Sequence, residues 1–317
     1  MPAKQTKTKE NKEQKKDMWI WFAVISSVLL GFYDVAKKRS VEGNAVLPVL
    51  TVATTISALF FLPVILSSEF DLGWFAEGTM FHVTPMGLEQ HLLVALKAVI
   101  VAATWLFGYL AVKHLPLTIV SPIYALRPVL VLLGSILIFG ERLNLYQWIG
   151  VAVAFTAFYM MNRSSHKEGI RFTKNKGVFY LMMAVLLGVG SAFCDKILMK
   201  GIQPASVQAW CGLYIALLYG VLTLIIWAPK RKESKFEWRW SIVLISLFLS
   251  IADFCYFNAL AQEGALLAVI SLIRRGSVVV SFSLGAIFFK ERNLRSKALA
   301  LAVLLVGLYF LLHGSLA

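Results

Sequence analysis

The segments Phe107–Met161 and Phe257–Leu312 are one segment written twice. Laid together without a gap, at a shift of 257 − 107 = 150, they agree at Phe107, Leu110, Ala111, Leu117, Ser121, Ile123, Phe139, Glu141, Arg142 and Tyr159. The partners are Phe257, Leu260, Ala261, Leu267, Ser271, Ile273, Phe289, Glu291, Arg292 and Tyr309. Each copy is a short polar link, an apolar stretch, a Glu-Arg turn and a second apolar stretch. Apolar positions agree by chance, but a shared Glu-Arg register with matched Ser and Tyr positions does not. An internal repeat settles architecture before any local reading. In an apolar chain it points to two halves around a site.

The 317 residues are 59% hydrophobic and only 15% charged, where a soluble domain carries about 25%. The solvent for most of the chain is therefore lipid. Stretches of roughly 20 apolar residues cross a bilayer as helices, and about ten are present. They are 18–37, 45–67, 92–112, 118–139, 145–162, 177–199, 206–228, 241–261, 266–289 and 296–313. The first is too long for a signal peptide's apolar core of about 7–15 residues, and no small-x-small cleavage site follows it.

The repeat reaches back to the first span of each half, where Phe32-Tyr33-Asp34 resembles Phe193-Cys194-Asp195. The expected fold is all-α and integral to the membrane: about ten transmembrane helices as two inverted five-helix repeats. An odd number of spans per copy forces the inversion. The expected divisions are 1–17, a disordered basic tail; 18–162, the first repeat; 163–176, a linker loop; and 177–317, the second repeat. The long loop 68–91 has no Lys or Arg and carries Trp74 and Phe75, which suits the membrane interface. Charge does not fix orientation: the tail holds six lysines, while loops 163–176 and 229–240, on the opposite side, are also basic.

The net charge of +14 sits in the tail and loops, which suits an anionic bilayer. No basic stripe with interleaved aromatics points to nucleic acid. Cys194, Cys211 and Cys255 lie singly in apolar spans, and the five histidines are scattered at loops and span ends. No metal site is expected.

Ser121-Pro122-Ile123-Tyr124 with Phe139-Gly140-Glu141-Arg142, and Ser271 with Phe289-Lys290-Glu291-Arg292, carry a family resemblance. The pattern resembles the drug/metabolite transporter superfamily, in particular the EamA-type transporters. The resemblance implies a central cavity lined by the third, fourth, eighth and ninth helices, no cofactor and no use of ATP. Relatives of this kind move amino acids, nucleotide sugars, phosphorylated sugars and drugs.

A charge in mid-span costs about 3 kcal/mol on insertion scales, so each requires a reason. The charges are Asp34, Lys97, Arg127, Asp195, Lys196, Asp253, Arg274 and Arg275. Arg274-Arg275 is the sharpest feature, since guanidinium forks hold carboxylate or phosphate through paired donors. The plastid phosphate translocators, a branch of the same superfamily, resemble this in setting an adjacent Lys-Arg pair of the ninth helix on the substrate phosphate. The bland reading pairs one arginine with Asp253. Arg127, Lys97 and Tyr124 are further substrate-binding candidates. For Arg127 the alternative is a bridge to Asp34 or Asp195, and for Lys97 it is snorkelling to the interface. Asp34 has Lys38 at i+4 as a partner. Asp195 has no such partner, and Asp195, Asp253 and Asp34 are the candidate proton-coupling or counter-ion sites.

The expected function is a secondary transporter, exporting or exchanging a small anionic or zwitterionic metabolite across the inner or plasma membrane by alternating access. The coupled species is a proton or a counter-substrate, the other partners are membrane lipids, and the state is monomer or homodimer. The alternatives are a flippase for a lipid- or isoprenoid-linked phosphate and a cationic-drug exporter. An intramembrane aspartyl protease would need GxGD at its second acid. Here that acid follows Phe193-Cys194, so this reading, and enzymatic activity with it, is disfavoured.

Overall fold

The computed structural model describes residues 2–75, 83–140, 142–166, 168–172, 174–198, 201–260, 262, 270 and 273–316, with side chains from 19 onward except at 139, 196, 257, 260 and 316. Glu141, Ala261, Leu267 and Ser271 of the repeat fall outside the described residues. So do 76–82 of the long loop, Lys167 of the linker, the turn at Glu263–Gly264 and most of 266–272.

The helices are α1 Pro2–Val41, α2 Val46–Glu69, α3 Leu88–His114, α4 Leu117–Tyr124, α5 Arg127–Phe139, α6 Leu145–His166, α7 Lys176–Leu198, α8 Pro204–Leu222, α9 Trp240–Leu260, α10 Ser277–Phe289 and α11 Leu294–Leu316. There is no strand among the described residues. Lipid offers the backbone no hydrogen-bond partner, so apolar stretches close their bonds internally as helices. α1 begins at Pro2 and includes residues 2–17; Lys, Gln and Glu are good helix formers.

Among the described residues, seven helical stretches are long and apolar enough to cross a membrane, α4 and α5 counting together as one. Two of the remaining expected spans fall short for visible reasons. α6 carries Tyr146, Gln147, Trp148 and Tyr159, which dilute its hydropathy, and α10 continues a stretch that is only partly described. Trp240–Tyr256 is a shorter apolar stretch. Large apolar side chains stand on the outer surface, among them Trp21, Leu59, Leu96, Leu137, Leu224 and Phe288. In water such a surface would be an aggregation liability, whereas against lipid it is ordinary. The chain is an integral, multi-pass membrane protein.

The fourth and ninth spans are not the continuous helices expected from 118–139 and 266–289. The fourth breaks at Ala125–Leu126, between α4 and α5. Pro128, at the start of α5, has no N–H, and its ring excludes the carbonyl four residues back, that of Tyr124, where α4 ends. The ninth is helical at 273–275, turns at Gly276 and resumes as α10. A Cβ on Gly276 would lie 2.8 Å from the Ile273 carbonyl oxygen. The two breaks fall at one register of the repeat. So do the far ends: Gly140 and Lys290, 150 apart, both close their helices in the left-handed region, at φ 66° and 49°.

The main packed pairs are α1 with α9, α3 with α7, α2 with α8, and α6 with α11. α6 and α11 approach closely because a Cβ on Gly150 would lie 2.8 Å from the Gly307 carbonyl oxygen.

One end of the bundle is joined by hydrogen bonds between distant segments. The Glu291 carboxylate accepts from the first N–H groups of α4, Leu117 at 2.7 Å and Thr118 at 2.8 Å. This answers a helix start, where backbone donors are unpaired and the dipole favours an anion. Lys297, fully buried, donates to Thr118 Oγ1 at 3.0 Å and Glu168 Oε2 at 2.9 Å. Lys38 Nζ closes the end of α3 on the carbonyls of Val112 and Leu115, at 2.6 and 2.7 Å. Lys113 donates to Asn44 O, the Asn44 amide exchanges two bonds with the Glu237 backbone, and Ser40 meets Ser241.

Candidate functional site

The mid-span charges gather around the two helix breaks. Arg127 is the first residue of α5, and its guanidinium donates to the Gly188 carbonyl of α7. The expected partners Asp34 and Asp195 do not bond it, although Asp195 stays within electrostatic reach. A Cβ on Gly188 would fall 2.9 Å from the guanidinium carbon, so the glycine makes the seat for Arg127.

Across from it, just before the second break, stand Arg274 and Arg275. Arg274 bonds Asp253 of α9 as an ion pair and lies over the Tyr256 ring, 4.3 Å from its centroid. Arg275 has Arg127, Arg274 and Tyr256 as its electrostatic neighbours. Among the described residues, no carboxylate lies within ion-pair distance of it. The arginines of the two breaks are therefore electrostatic neighbours, with Asp253 bonded to Arg274 and Asp195 acting on Arg127 at longer range.

Asp34 departs from the expected i+4 pairing. Its Oδ1 accepts from Lys37, at i+3 and 2.7 Å, and its Oδ2 accepts from Ser281 of α10 at 2.7 Å. Lys38 is drawn off to the end of α3. Lys37 was missed from sequence. It is nearly buried, with its ammonium 4.7 Å from the Tyr33 ring centroid and 5.8 Å from those of Tyr109 and Tyr124. The only signal was its place three residues after Asp34, which puts both on one helix face. Tyr124 ends α4 with its hydroxyl packed against Gly108 of α3.

Asp195 departs as well. It is not partnerless, since Lys97 of α3 makes an ion pair with it. Lys97 therefore does not snorkel, because α3 packs along α7 and sets the ammonium on the carboxylate.

The described mid-span charges are Lys37, Lys97, Arg127, Arg274 and Arg275 against Asp34, Asp195 and Asp253, or 5 − 3 = +2. Beside the Asp253 pair, an apolar cavity of about 300 Å3 opens between α2, α8 and α9. No cluster of three potential metal ligands occurs among the described residues.

A protein of Archaeoglobus fulgidus described as an uncharacterized transporter is 22% identical over 277 residues, covering 86% of this chain and 90% of its own. A solved structure, titled only as the crystal structure of a protein, covers 93% of this chain and 97% of its own, with a TM-score of 0.57 at 14% identity. That likeness speaks for the fold. Residues 17–163, which run from within α1 to within α6, match the model of the EamA-like transporter family.

Proposed function

We propose that the protein is a secondary transporter that moves a small anionic or zwitterionic metabolite by alternating access. The observation that carries this reading is the +2 excess at the two helix breaks, with Arg275 lacking an acid among the described residues. Unmatched cations in a membrane interior cost about 3 kcal/mol each on insertion scales, and a bound anion offsets that cost. Arg275 and Arg127 hold the anion, Arg274 is tethered to Asp253 as the adjustable third donor, and Tyr124 and Lys97 border the site.

The proposed architecture is ten spans as two inverted five-helix repeats, in a plasma or inner membrane. The helix pairing supports it. Numbering the spans one to ten and exchanging each with the span five places on turns α1·α9 into α3·α7. The same exchange leaves α2·α8, α6·α11 and α4·α10 in place. Such a pseudo-two-fold relation lets one half rock against the other around a fixed site.

The test is thermal unfolding of the purified protein against amino acids, sugar phosphates, nucleotides and hydrophobic cations. A ligand of the folded state raises the midpoint by mass action. Stabilisation by an anion, lost in Arg275→Ala, is the expected result. Stabilisation by cations alone would overturn the reading and move the site to the aspartates.

A further inference from the structure

We infer that the apolar cavity between α2, α8 and α9 is a hydrocarbon-chain site, and that the molecule carried is an anionic amphipath with a phosphate or carboxylate head on one alkyl or isoprenoid chain. This rests on the anion reading above and adds a tail to it.

The cavity holds about 300 Å3 and is walled by Phe60 and Phe61 of α2, Ala205 of α8, and Ser250 and Phe254 of α9. Its space comes from the small side chains of Ala205 and Ser250. Phe60 and Phe254 are about half exposed on the lipid-facing surface, so a chain enters sideways from the bilayer without crossing water. At its polar wall stands Asp253, the acid that Arg274 holds. The cavity and the arginines therefore share one ion pair, and a head group at Arg274–Arg275 leaves its chain one side-chain length from the apolar wall. Charge chooses between occupants. Asp253 alone would attract a lipophilic cation, but its charge is matched by Arg274, and the neighbouring group is +2 in sum. An anion complements that field, and a cation is repelled by it.

The experiment measures apparent Kd by thermal unfolding with methyl, butyl and hexyl phosphate, which stay monomeric in water, and with hexyltrimethylammonium. Affinity for the phosphates should tighten about four-fold per added methylene (about 0.8 kcal/mol each). Filling the cavity from either wall, with Ser250→Phe or Ala205→Phe, should flatten that dependence and leave methyl phosphate unchanged. Arg275→Ala should weaken all three phosphates equally.

Equal affinity across the phosphates, with the Arg275→Ala loss intact, would remove the chain site and leave the anion reading standing. Chain dependence that survives both filled variants would mean micelle partition only and would likewise overturn the chain site. Chain dependence lost on filling but indifferent to Arg275→Ala would remove the anionic head. Tighter binding of hexyltrimethylammonium than of hexyl phosphate would make the occupant a lipophilic cation and overturn the proposal.

Discussion

Residues 117–147 and 267–297 occupy equivalent registers of the repeat, and where both are described their breaks and helix ends agree better than their charges. Both spans break at the same place, and both end in a left-handed residue, Gly140 or Lys290. The side chains differ. Tyr124 and Ala125 stand where the second half has Arg274 and Arg275, Arg127 stands where it has Ser277, and Gln147 where it has Lys297. The helix breaks belong to the scaffold. The charges differ at matched positions, so the site and the joined end are asymmetric at registers where the breaks and helix ends agree.

The largest expected effect separates Lys297 from Gln147. Lys297→Met removes the partner of Glu168 and a bond to Thr118 from a fully buried position. Breaking such a pair from one side costs about 3–5 kcal/mol. Gln147→Met loses an exposed helix-start bond to Asn144 and a 3.3 Å contact with Ser315, worth about 1 kcal/mol or less. Denaturant unfolding of both variants measures the gap. The double variant Lys297→Met/Glu168→Leu should recover most of the loss. No recovery would mean that packing, rather than the ion pair, holds Lys297.

Next comes Arg275→Ala, which has no equivalent charge in the first half. Hydrogen bonds to a charged group contribute about 1.5–3 kcal/mol, so transport of an anion should fall roughly ten- to hundred-fold. The melting midpoint should hold or rise, because the repulsion from Arg127 and Arg274 goes with the guanidinium. Vesicle uptake beside a melting curve reads both. Undiminished uptake would move the anion away from the second break.

The breaks themselves come third. Gly276→Ala places a methyl 2.8 Å from a backbone oxygen that cannot swing away, at a cost of about 1–3 kcal/mol. Pro128→Ala only restores a donor, and should change stability by less than about 1 kcal/mol while lowering transport if the break must persist. Equal losses in the two variants would mean that the first break, too, is held by packing rather than by proline.

The seven spans long and apolar enough to cross a membrane were legible because hydropathy is local and needs only one window. What was not legible depended on distance. Lys37 and Lys38 lie three and four residues after Asp34, both within reach of it, and the α3 carbonyls at Val112 and Leu115 draw Lys38 away. Lys97 and Asp195 lie on helices whose packing no local pattern announces. Lys297 follows Glu291, Arg292 and Arg295 and looks like one more basic loop residue. Its burial is set by the start of α4 and by Glu168, far away in the chain. Arg274 and Asp253 were readable as partners because they lie 21 residues apart on spans adjacent in sequence, which keeps acid and base in reach.

The two aspartates of the weaker repeat, Asp34 and Asp195, sharpen the comparison at its smallest scale. Each sits late in the first span of its half, but the scaffold uses them unequally. Asp34 ties α1 to itself through Lys37 and to α10 through Ser281, with both oxygens engaged and a quarter of its side chain exposed. Asp195 has one cation, Lys97, and 40% of its side chain is exposed. Exposure lets water or lipid head groups take over part of the pairing, which discounts the ion pair to about 1 kcal/mol or less. Asp34→Asn leaves a nearly buried ammonium with an amide for a partner, and costs about 3 kcal/mol or more. Thermal unfolding of the two asparagine variants should therefore show a loss at Asp34 several times that at Asp195. A reversed order would make α3 against α7, rather than α1 against α10, the contact that depends on charge.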